Sequence, residues 1–263
     1  AMAAKQADVG PVRSDYTPSS TIWSDAKVLR AMWFSSISGG SHQDQLESFY
    51  QKQAHLYDQY RHRMLHGRKA MMMAMPVRTK GSVWVDLGGG TASNLEYFSK
   101  SLREWFKRVC VVDLTPSLVN VAKKRVEENG WEDIVDVVLG DATDANLKGI
   151  PESGSVDVVT ISYAITMIPN WEDVIDNALR MLKPGGHLCV CDFTVDKSTQ
   201  WRASEKFWKY VFSTDHIYLS EKHIETLQNK LDQEFLEVRY GAFPYVPRLL
   251  KCPYYAFVGK KRE

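Results

Sequence analysis

The feature that most constrains the fold is an apolar run, residues 83–87, that breaks into three consecutive glycines at 88–90. A second apolar run, residues 109–112, ends in Asp113, twenty-three residues after the last of those glycines. In a parallel sheet both strand ends meet at one edge, where glycines let the backbone approach a ligand closely. An acid at the tip of the second strand can accept hydrogen bonds from ribose hydroxyls. The spacing therefore predicts a nucleotide-like cofactor at the carboxyl edge of a parallel sheet.

Apolar, strand-like runs alternate with helical segments from residue 82 onward. This alternation predicts an α/β, Rossmann-like fold with right-handed crossovers and a mostly parallel sheet of seven strands. We expect the strands near 82–87, 108–113, 134–139, 156–163, 187–193, 235–240 and 253–259. We expect helices near 93–102, 117–129, 171–182, 199–219 and 221–231, of which 199–219 is an aromatic-rich insertion after strand five.

The part of the chain that precedes the sheet divides into two regions. Residues 1–42 are interpreted as a polar tail and a helix at 22–34 with one broad apolar face. Residues 43–80 are interpreted as a helical lid, because aromatic side chains recur along one helix face. Residues 81–263 then form the cofactor-binding domain.

The composition is that of an ordinary globular protein. Of the 263 residues, 44% are hydrophobic and 25% are charged, and the net charge is +1. A charge this small gives no overall field that would attract nucleic acid or an anionic membrane. The four cysteines have no metal-ligand spacing, so we expect reduced core thiols and no metal. No apolar run reaches the roughly 18 residues of a membrane-spanning helix.

A further turn, Gly140-Asp141-Ala142, follows the third apolar run. Together with Asp86, the 88–90 glycines and Asp113, this pattern resembles the class I S-adenosylmethionine-dependent methyltransferases. The resemblance implies that Asp86 and the glycine loop hold the methionine end of the cofactor, Asp113 the ribose and Asp141 the adenine. The implied cofactor-binding residues are Tyr50, Asp86, Gly88, Gly89, Gly90, Asp113, Leu114, Asp141, Ala142 and Ser162.

The cofactor interpretation has alternatives at this stage. Aspartates at strand ends often cap the helix that follows, and an NAD-type fold or a vestigial domain uses similar turns. Ala92 also departs from the family pattern, since it stands where a third glycine is common. Alanine disfavours a positive φ, so we expect an adjusted start of the next helix.

Three side chains are candidates for a catalytic role. Tyr57 lies seven residues after Tyr50, so both phenols share the face of the lid helix that would cover the sulfonium. Tyr163 follows the fourth strand, whose carboxyl end faces the transferred methyl group in this fold, and His216 follows the aromatic insertion. Either Tyr163 or His216 could accept a proton from the methyl acceptor. For each candidate the alternative is a packing or surface side chain without a chemical role.

Four segments together resemble a narrower family, the N-methyltransferase module of betaine-lipid synthases. They are the lid segment 49–68, the glycine loop 84–91, the end of strand four at 159–169 and the tyrosine- and proline-rich tail 244–259. The resemblance implies trimethylation of the amine of diacylglyceryl-homoserine to diacylglyceryl-trimethylhomoserine, with an aminocarboxypropyltransferase module or partner. The chain lacks the Asn/Asp-Pro-Pro-aromatic turn of nucleobase amino-methyltransferases, which disfavours a nucleic acid substrate.

Two other functions remain open: a soluble methyltransferase acting on a quinone precursor or small amine, and a non-catalytic cofactor-binding module. A diacyl lipid stays in the bilayer, so the lipid hypothesis requires a cytoplasmic protein peripherally associated with a membrane, the endoplasmic reticulum in a eukaryote. Cations beside apolar side chains suit such a surface. We expect it to join the 22–34 helix to His62, Arg63, Arg68 and Lys69, beside the methionine cluster 71–75.

Overall fold

The computed structural model describes residues 41–50, 64–76, 80–198, 200–213, 217–243, 246–247 and 249–262. The helices in this part are α1 His42–Tyr50, α2 Arg68–Ala74, α3 Leu102–Trp105, α4 Pro116–Glu128, α5 Trp171–Met181, α6 Arg202–Ser213 and α7 Lys222–Lys230. The strands are β1 Ser82–Leu87, β2 Phe106–Asp113, β3 Val135–Leu139, β4 Val156–Ser162, β5 Leu182–Phe193, β6 Leu231–Gly241 and β7 Cys252–Lys261. Two 3₁₀ helices cover Ser93–Phe98 and Ile165–Met167. The helix predicted at 22–34 lies outside the described residues.

The strands form one sheet in the order β3-β2-β1-β4-β5-β7-β6. Strands β1 to β5 run parallel to one another. Strand β7 is antiparallel to both of its neighbours, β5 and β6. The strand order reverses between β1 and β4, which leaves a crevice at the carboxyl ends of the strands where ligands bind in open α/β sheets. The predicted class I methyltransferase fold, with seven mostly parallel strands, is confirmed.

Side chains of β1 alternate between the two faces of the sheet. Trp84 enters one core, where its ring centroid lies 5.5 Å from that of Phe98 and 5.3 Å from that of Phe106. Val85 and Leu87 enter the core on the other face. Because both faces are covered, every residue of β1 is buried, as is usual in parallel sheets. The glycine loop therefore starts from a rigid base.

The segment after the glycine loop differs from the helix predicted at 93–102. Ala92 adopts a left-handed conformation, with φ 59° and ψ 23°. The chain continues as the 3₁₀ helix Ser93–Phe98, and α3 follows only at Leu102. Left-handed alanine is strained because its Cβ approaches the following carbonyl oxygen. The adjustment expected at Ala92 thus takes the form of a tightly wound 3₁₀ helix.

Three of the four methionines in the 71–75 cluster are part of the core, and the fourth, Met73, is 42% exposed. Met71, Met72 and Met75 are each at most 1% exposed, and α2 packs against β5 and β7. Arg68 is also buried. The membrane surface predicted around Arg68 and the methionines is therefore wrong for these buried residues. An apolar run beside cations has the same sequence pattern whether it faces lipid or the protein core.

The four cysteines are free and buried, as predicted: Cys110, Cys189, Cys191 and Cys252. Burial raises the pKa of the Cys110 thiol to about 12 and raises the pKa of the other three thiols as well. A protonated thiol is a poor nucleophile and metal ligand, so these side chains act as small apolar groups. Among the helices of the described ranges, none is long and apolar enough to cross a bilayer.

Candidate functional site

A cleft of about 230 Å³ opens at the carboxyl ends of strands β1 to β4. Helix α1 contributes Leu46 to its wall, and the turn after β4 contributes Ala164 and Met167. Eight of the predicted site residues line the cleft: Gly88, Gly90, Asp113, Leu114, Asp141, Ala142, Ser162 and Tyr163. The fold thus brings together strand ends that are separated widely in the sequence.

The glycine loop presents bare backbone to the cleft. Gly88 and Gly90 have φ of 65° and 57°, which other residues rarely adopt. A Cβ on Gly88 would lie 2.5 Å from the Cβ of Ala164, so only glycine lets the loop pass the end of β4. A Cβ on Gly90 would have no neighbour nearer than 3.9 Å. The loop can therefore approach a ligand closely at Gly90.

Asp113 is fixed at the cleft wall by two backbone donors. The N–H of Gly90 donates to its Oδ2 and the N–H of Thr115 to its Oδ1, each at 2.9 Å. Burial raises the pKa of this carboxyl, and the two backbone donors lower it in part. Each carboxylate oxygen retains capacity for a further donor, such as a ribose hydroxyl.

Asp141 has the equivalent place after β3. Its Oδ1 accepts the backbone N–H of Thr143 at 2.8 Å and the Thr143 hydroxyl at 2.7 Å. Buried Asn177 of α5 donates to the carbonyl of Ala142 at 2.7 Å. These bonds hold the turn in which Asp141 and Ala142 line the cleft, as predicted for an adenine-binding wall.

Asp86 lies beneath the glycine loop and not on the cleft wall. It is fully buried, and its Oδ1 and Oδ2 accept the side-chain amide of Asn94 at 3.1 and 3.0 Å. Its Oδ1 also accepts the hydroxyl of Thr160 at 2.5 Å. Burial raises the pKa of this carboxyl to about 6, although both side-chain donors lower it.

Gly89 shares the buried position of Asp86. A Cβ on Gly89 would lie 2.8 Å from Asp86 Oδ2 and 2.7 Å from Val111. The sequence pattern predicted that Asp86 and Gly89 contact the cofactor directly. In the structure both residues support the loop from below while Gly88 and Gly90 line the cleft, so direct contact of Asp86 and Gly89 with the cofactor stays a prediction.

A buried polar chain connects helix α2 to the cleft, and the sequence pattern did not reveal it. Arg68 donates from Nε and Nη2 to Oδ1 of Asn94, at 3.0 and 2.7 Å, and from Nη2 to the hydroxyl of Ser93 at 2.6 Å. The amide of Asn94 donates to Oγ of Ser162 at 2.9 Å and to Asp86. Arg68 therefore orients the amide that joins Asp86 to the cleft wall. An asparagine just after the glycine loop was the one available signal in the sequence.

Tyr163 lines the cleft, but its hydroxyl donates to the backbone carbonyl of His66. Its ring packs edge-on against Phe193, with centroids 4.6 Å apart. Burial raises the pKa of this phenol well above its ordinary value. A phenol that stays protonated and donates its hydrogen bond elsewhere is a poor proton acceptor. This argues against the role of general base predicted for Tyr163. Its φ of 56° is strained for a bulky residue, a feature common at functional sites.

Helix α1 borders the cleft where a lid was predicted. Gln43 donates to the carbonyl of Leu114 at 3.1 Å, and Glu47 accepts the backbone N–H of Ser117 at 3.0 Å. These contacts hold α1 over the start of α4, next to Asp113. The roles of Tyr50, Tyr57 and His216 stay predictions: Tyr57, His216 and the side chain of Tyr50 lie outside the described part of the chain.

Aromatic side chains form a wall behind Tyr163. Phe193, at the end of β5, stacks on Phe212 of α6 with ring centroids 4.7 Å apart. Trp208 of α6 lies 4.5 Å from Phe243, centroid to centroid. The aromatic insertion after strand five thus packs inward beside the cleft. The part of the cleft next to Tyr163, which we call the acceptor side, is thus backed by aromatic side chains.

The groups that line the cleft fit an adenosine derivative with a cationic tail. The open backbone at Gly90, the carboxylate of Asp113 and the turn at Asp141 suit the nucleoside portion. The ionisable Asp86 beneath the loop supplies negative charge for a cation. Among the described residues no three His, Cys, Asp or Glu side chains come together as metal ligands.

Comparison with known sequences gives one consistent family. The model of the ubiE/COQ5 methyltransferase family matches residues 41–218. The ubiquinone/menaquinone biosynthesis C-methyltransferase UbiE of Hydrogenovibrio crunogenus is 32% identical over 133 residues, which are 51% of this chain and 50% of that protein. UbiE of Bartonella henselae is 27% identical over 169 residues, 61% of this chain and 62% of that protein. The chain thus spans about half of the first of these relatives and less than two thirds of the second.

Solved structures share the fold at low sequence identity. Phosphoethanolamine N-methyltransferase 2 of Haemonchus contortus, in complex with S-adenosylmethionine, has a TM-score of 0.64 and 18% identity, over 86% of this chain and 61% of that one. YcgJ of Bacillus subtilis has a TM-score of 0.58 and 17% identity, over 75% of this chain and 99% of that one. At these identities the likeness establishes the fold alone.

The family match extends over more than half of the chain and includes every residue that lines the cleft. The methyltransferase class and S-adenosylmethionine as cofactor, both predicted from the sequence, are thereby confirmed. The chain belongs to the ubiE/COQ5 methyltransferase family.

Proposed function

We propose that this methyltransferase N-methylates the amine of a homoserine-linked glycerolipid, in up to three steps, at a membrane surface. One observation carries the proposal: the segments 64–68 and 252–255 pack against each other beside Tyr163. The first belongs to the lid and the second to the tail, the two regions in which the resemblance to betaine-lipid synthases is most specific.

The packing of these two segments is close. The ring of His66 stacks on Tyr254, with centroids 5.6 Å apart. A Cβ on Gly67 would lie 2.7 Å from the same ring and 3.0 Å from Sγ of Cys191. Tyr163 donates its hydroxyl hydrogen bond to the His66 carbonyl. The two segments therefore meet at the acceptor side of the cleft, and the tail lies beyond residue 218, where the family match ends.

When bound, S-adenosylmethionine supplies an electrophilic methyl group. The chain contributes binding through Asp113 and alignment through the glycine loop, and the wall around Phe193 excludes water. The acceptor nitrogen must be neutral when it attacks, because its lone pair forms the new N–C bond as the S–CH3 bond breaks. Each methyl added to an ammonium group therefore requires the prior loss of one proton. Tyr163 stays protonated, so we assign this proton to water or to a group such as Tyr57 or His216.

Methylation of a quinone precursor is the second candidate, and the names of the sequence relatives favour it. UbiE proteins are C-methyltransferases of ubiquinone and menaquinone biosynthesis. The apolar wall of the cleft also suits an aromatic ring. Attack by an aromatic carbon is easiest when a ring hydroxyl is deprotonated in the site, which requires a nearby base. An amine can instead lose its proton to solvent before it binds.

The proposed substrate needs a source. We propose that an aminocarboxypropyltransferase, as a partner or as a further module, builds the homoserine headgroup. The protein would then meet its substrate as a peripheral membrane protein.

A direct assay separates the two candidates. The purified chain is incubated with S-adenosylmethionine and either diacylglyceryl-homoserine or a demethylated quinone precursor, each dispersed in detergent micelles. Mass spectrometry then follows the methyl additions. We expect successive additions to the lipid amine and none to the quinone precursor. Methylation of the quinone precursor alone would overturn the proposal in favour of the second candidate.

Two controls keep this assay informative. Asp113→Ala removes the proposed ribose contact and should slow every methyl addition at a cofactor concentration below saturation, which shows that the signal comes from the cleft. Calorimetric binding of S-adenosylmethionine verifies that the wild-type chain is folded and loaded. Binding without turnover on either substrate would indicate a non-catalytic cofactor-binding module.

A further inference from the structure

Large apolar side chains are exposed on helix α6 and in the segments next to it. Among the described residues, the three large hydrophobic side chains with the greatest exposure are Leu249 at 74%, Tyr210 at 73% and Trp201 at 58%. Tyr210 lies on α6, Trp201 immediately precedes it, and Leu249 lies in the loop before β7. Exposed aromatic side chains concentrated on one surface commonly mark an interaction site.

The loop that carries Leu249 is fastened to α6. The indole Nε1 of Trp208 donates to the carbonyl of Leu250 at 3.0 Å, and the hydroxyl of Ser204 donates to the carbonyl of Lys251 at 3.3 Å. Trp208 and Ser204 are both buried. The loop that carries Leu249 therefore packs against α6, and Leu249 itself stays exposed.

Cations accompany these apolar side chains. Arg202, Lys206 and Lys209 of α6 are exposed, as is Lys251 of the loop. The one carboxylate in α6 is Glu205, which pairs with Lys209 at 2.6 Å. We name Trp201, Arg202, Lys206, Lys209, Tyr210, Leu249 and Lys251 together the α6 surface. Its excess of positive charge stands out in a chain whose net charge is only +1.

The α6 surface lies one helix away from the acceptor side of the cleft. The inner face of α6 carries Trp208 and Phe212, whose ring centroids are 5.1 Å apart. Phe212 stacks on Phe193, which packs on the ring of Tyr163 at the cleft wall. Because an α-helix with its side chains is about 10 Å wide, a group held at the α6 surface is near the acceptor side.

We propose that the α6 surface docks the protein on an anionic lipid bilayer. Charge complementarity selects this occupant: cations attract anionic headgroups while Trp and Leu side chains insert among them. The inference rests on the proposed function in one respect: an enzyme whose substrate is a bilayer lipid must bind the bilayer to reach it. It moves membrane contact from the predicted surface at 62–75 to α6, because Arg68, Met71, Met72 and Met75 are buried.

Vesicle co-sedimentation of the full chain tests this docking. Vesicles of phosphatidylcholine alone are compared with vesicles that also contain phosphatidylserine. The variant Lys206→Glu with Lys209→Glu should bind the anionic vesicles about 30-fold more weakly or worse, since each basic residue near an anionic surface contributes roughly a factor of five. Trp201→Ser with Leu249→Ser should weaken binding to both kinds of vesicle.

A matched control reverses the charge of two lysines that lie outside the α6 surface. Lys123→Glu with Lys148→Glu changes the net charge equally, at exposed positions on α4 and after β3, towards the opposite edge of the sheet. This control should bind anionic vesicles as the wild type does. Equal loss in the control, or no loss in the α6 variants, would overturn the proposal. So would a dimer in solution that the α6 variants dissociate, because a second copy would then occupy the surface.

Methylation in detergent micelles separates this inference from the proposed function. There the α6 variants should retain wild-type turnover, because docking on a bilayer is not needed. Loss of vesicle binding with intact micellar turnover supports the docking surface. If the wild type methylates no lipid but its vesicle binding follows the predicted pattern, the docking surface stands and the proposed function fails.

Discussion

At the scale of single residues, the carboxylate predicted to bind the ribose already accepts two backbone hydrogen bonds. Asp113 accepts the N–H groups of Gly90 and Thr115, so its position is fixed before any ligand arrives. Such preorganisation means that little rotamer entropy is lost when a ribose hydroxyl binds.

We expect Asp113→Ala to weaken S-adenosylmethionine binding by about 1.5–3 kcal/mol, the usual loss for a hydrogen bond to a charged group. Isothermal titration calorimetry measures the change. Asp133→Ala is a suitable control, because Asp133 is exposed and pairs with Arg103 outside the cleft. Equal affinity in the Asp113 variant and the wild type would show that the ribose is bound elsewhere.

Arg68 acts on the cofactor site through Asn94, so its replacement should change a pH profile as well as an affinity. Asp86 has a pKa of about 6 and is ionised above that pH, and the Arg68 charge lowers this pKa whereas Asp113 raises it. A cationic cofactor favours the ionised carboxylate, so affinity should fall as the pH drops below about 6. Arg68→Met raises the pKa of Asp86 further and should move that fall to higher pH.

The same variant leaves Asn94 without its buried donor, so its amide is no longer held in place against Asp86 and Ser162, which should also weaken binding at neutral pH. Calorimetry between pH 5 and pH 8 follows both effects, with Lys69→Met as the exposed neighbouring control. An affinity loss with no movement of the pH profile would mean that Arg68 is structural only.

At the scale of elements, the start of helix α2 depends on one glycine. Gly67 has φ 81°, and a Cβ there would overlap the ring of Tyr254. Gly81 has φ 88°, but a Cβ there would meet nothing within 4 Å. The two positions therefore share the backbone strain and differ in the steric contact.

We expect Gly81→Ala to lower the free energy of unfolding by about 1–2 kcal/mol, the cost of a left-handed L-residue. Gly67→Ala should cost more by a further 1–3 kcal/mol, roughly the penalty of overpacking a well-packed site. Urea unfolding of both variants measures the difference. Equal losses would show that Tyr254 moves aside freely and that the 64–68 and 252–255 segments are loosely packed.

Helices and strands that are specified by a local sequence pattern could be predicted from the sequence. Strand β1 and helix α5 were found near their observed bounds, because apolar periodicity and flanking glycines identify them. The helix expected at 93–102 was wrong in type, since the left-handed Ala92 tightens the chain that follows. The burial of the 71–75 cluster was missed because an apolar helix does not specify which neighbour covers it.

At the scale of the whole molecule, the unpredicted parts of the site depend on distant contacts. Tyr163 and His66 are 97 positions apart, and Arg68 reaches Asn94 across 26. Glycine and aspartate residues identify the carboxyl ends of the strands in the sequence. This is why eight of the residues that line the cleft could be predicted. The packing around a carboxylate decides whether it points into the core. The buried location of Asp86 could therefore not be predicted from the sequence.

At the same scale, one buried histidine on helix α7 should make a contribution to the stability of the fold that is lost in acid. His223 packs edge-on against Trp171, its Nδ1 is buried with no hydrogen-bond partner among the described residues, and burial lowers its pKa from 6.5 to about 4. Below pH 6.5 the imidazole of His223 is protonated in the unfolded chain but stays neutral in the folded chain. The stability that this residue contributes is therefore lost as the pH falls from about 6.5 to about 4. The shift corresponds to about 3 kcal/mol when complete.

The carboxyls of Asp86 and Asp192 oppose this trend, because burial raises both pKa values to about 6 and the folded state gains stability as they protonate. The histidine effect is therefore isolated by comparison with His223→Phe, which keeps an aromatic ring against Trp171. We expect this variant to gain stability over the wild type by roughly 3 kcal/mol between pH 7 and pH 4, measured by urea unfolding. Gln228→Met, an exposed and uncharged change on the same helix, should show no such pH dependence. A constant difference between His223→Phe and the wild type would mean that the imidazole reaches solvent and is protonated in the folded state.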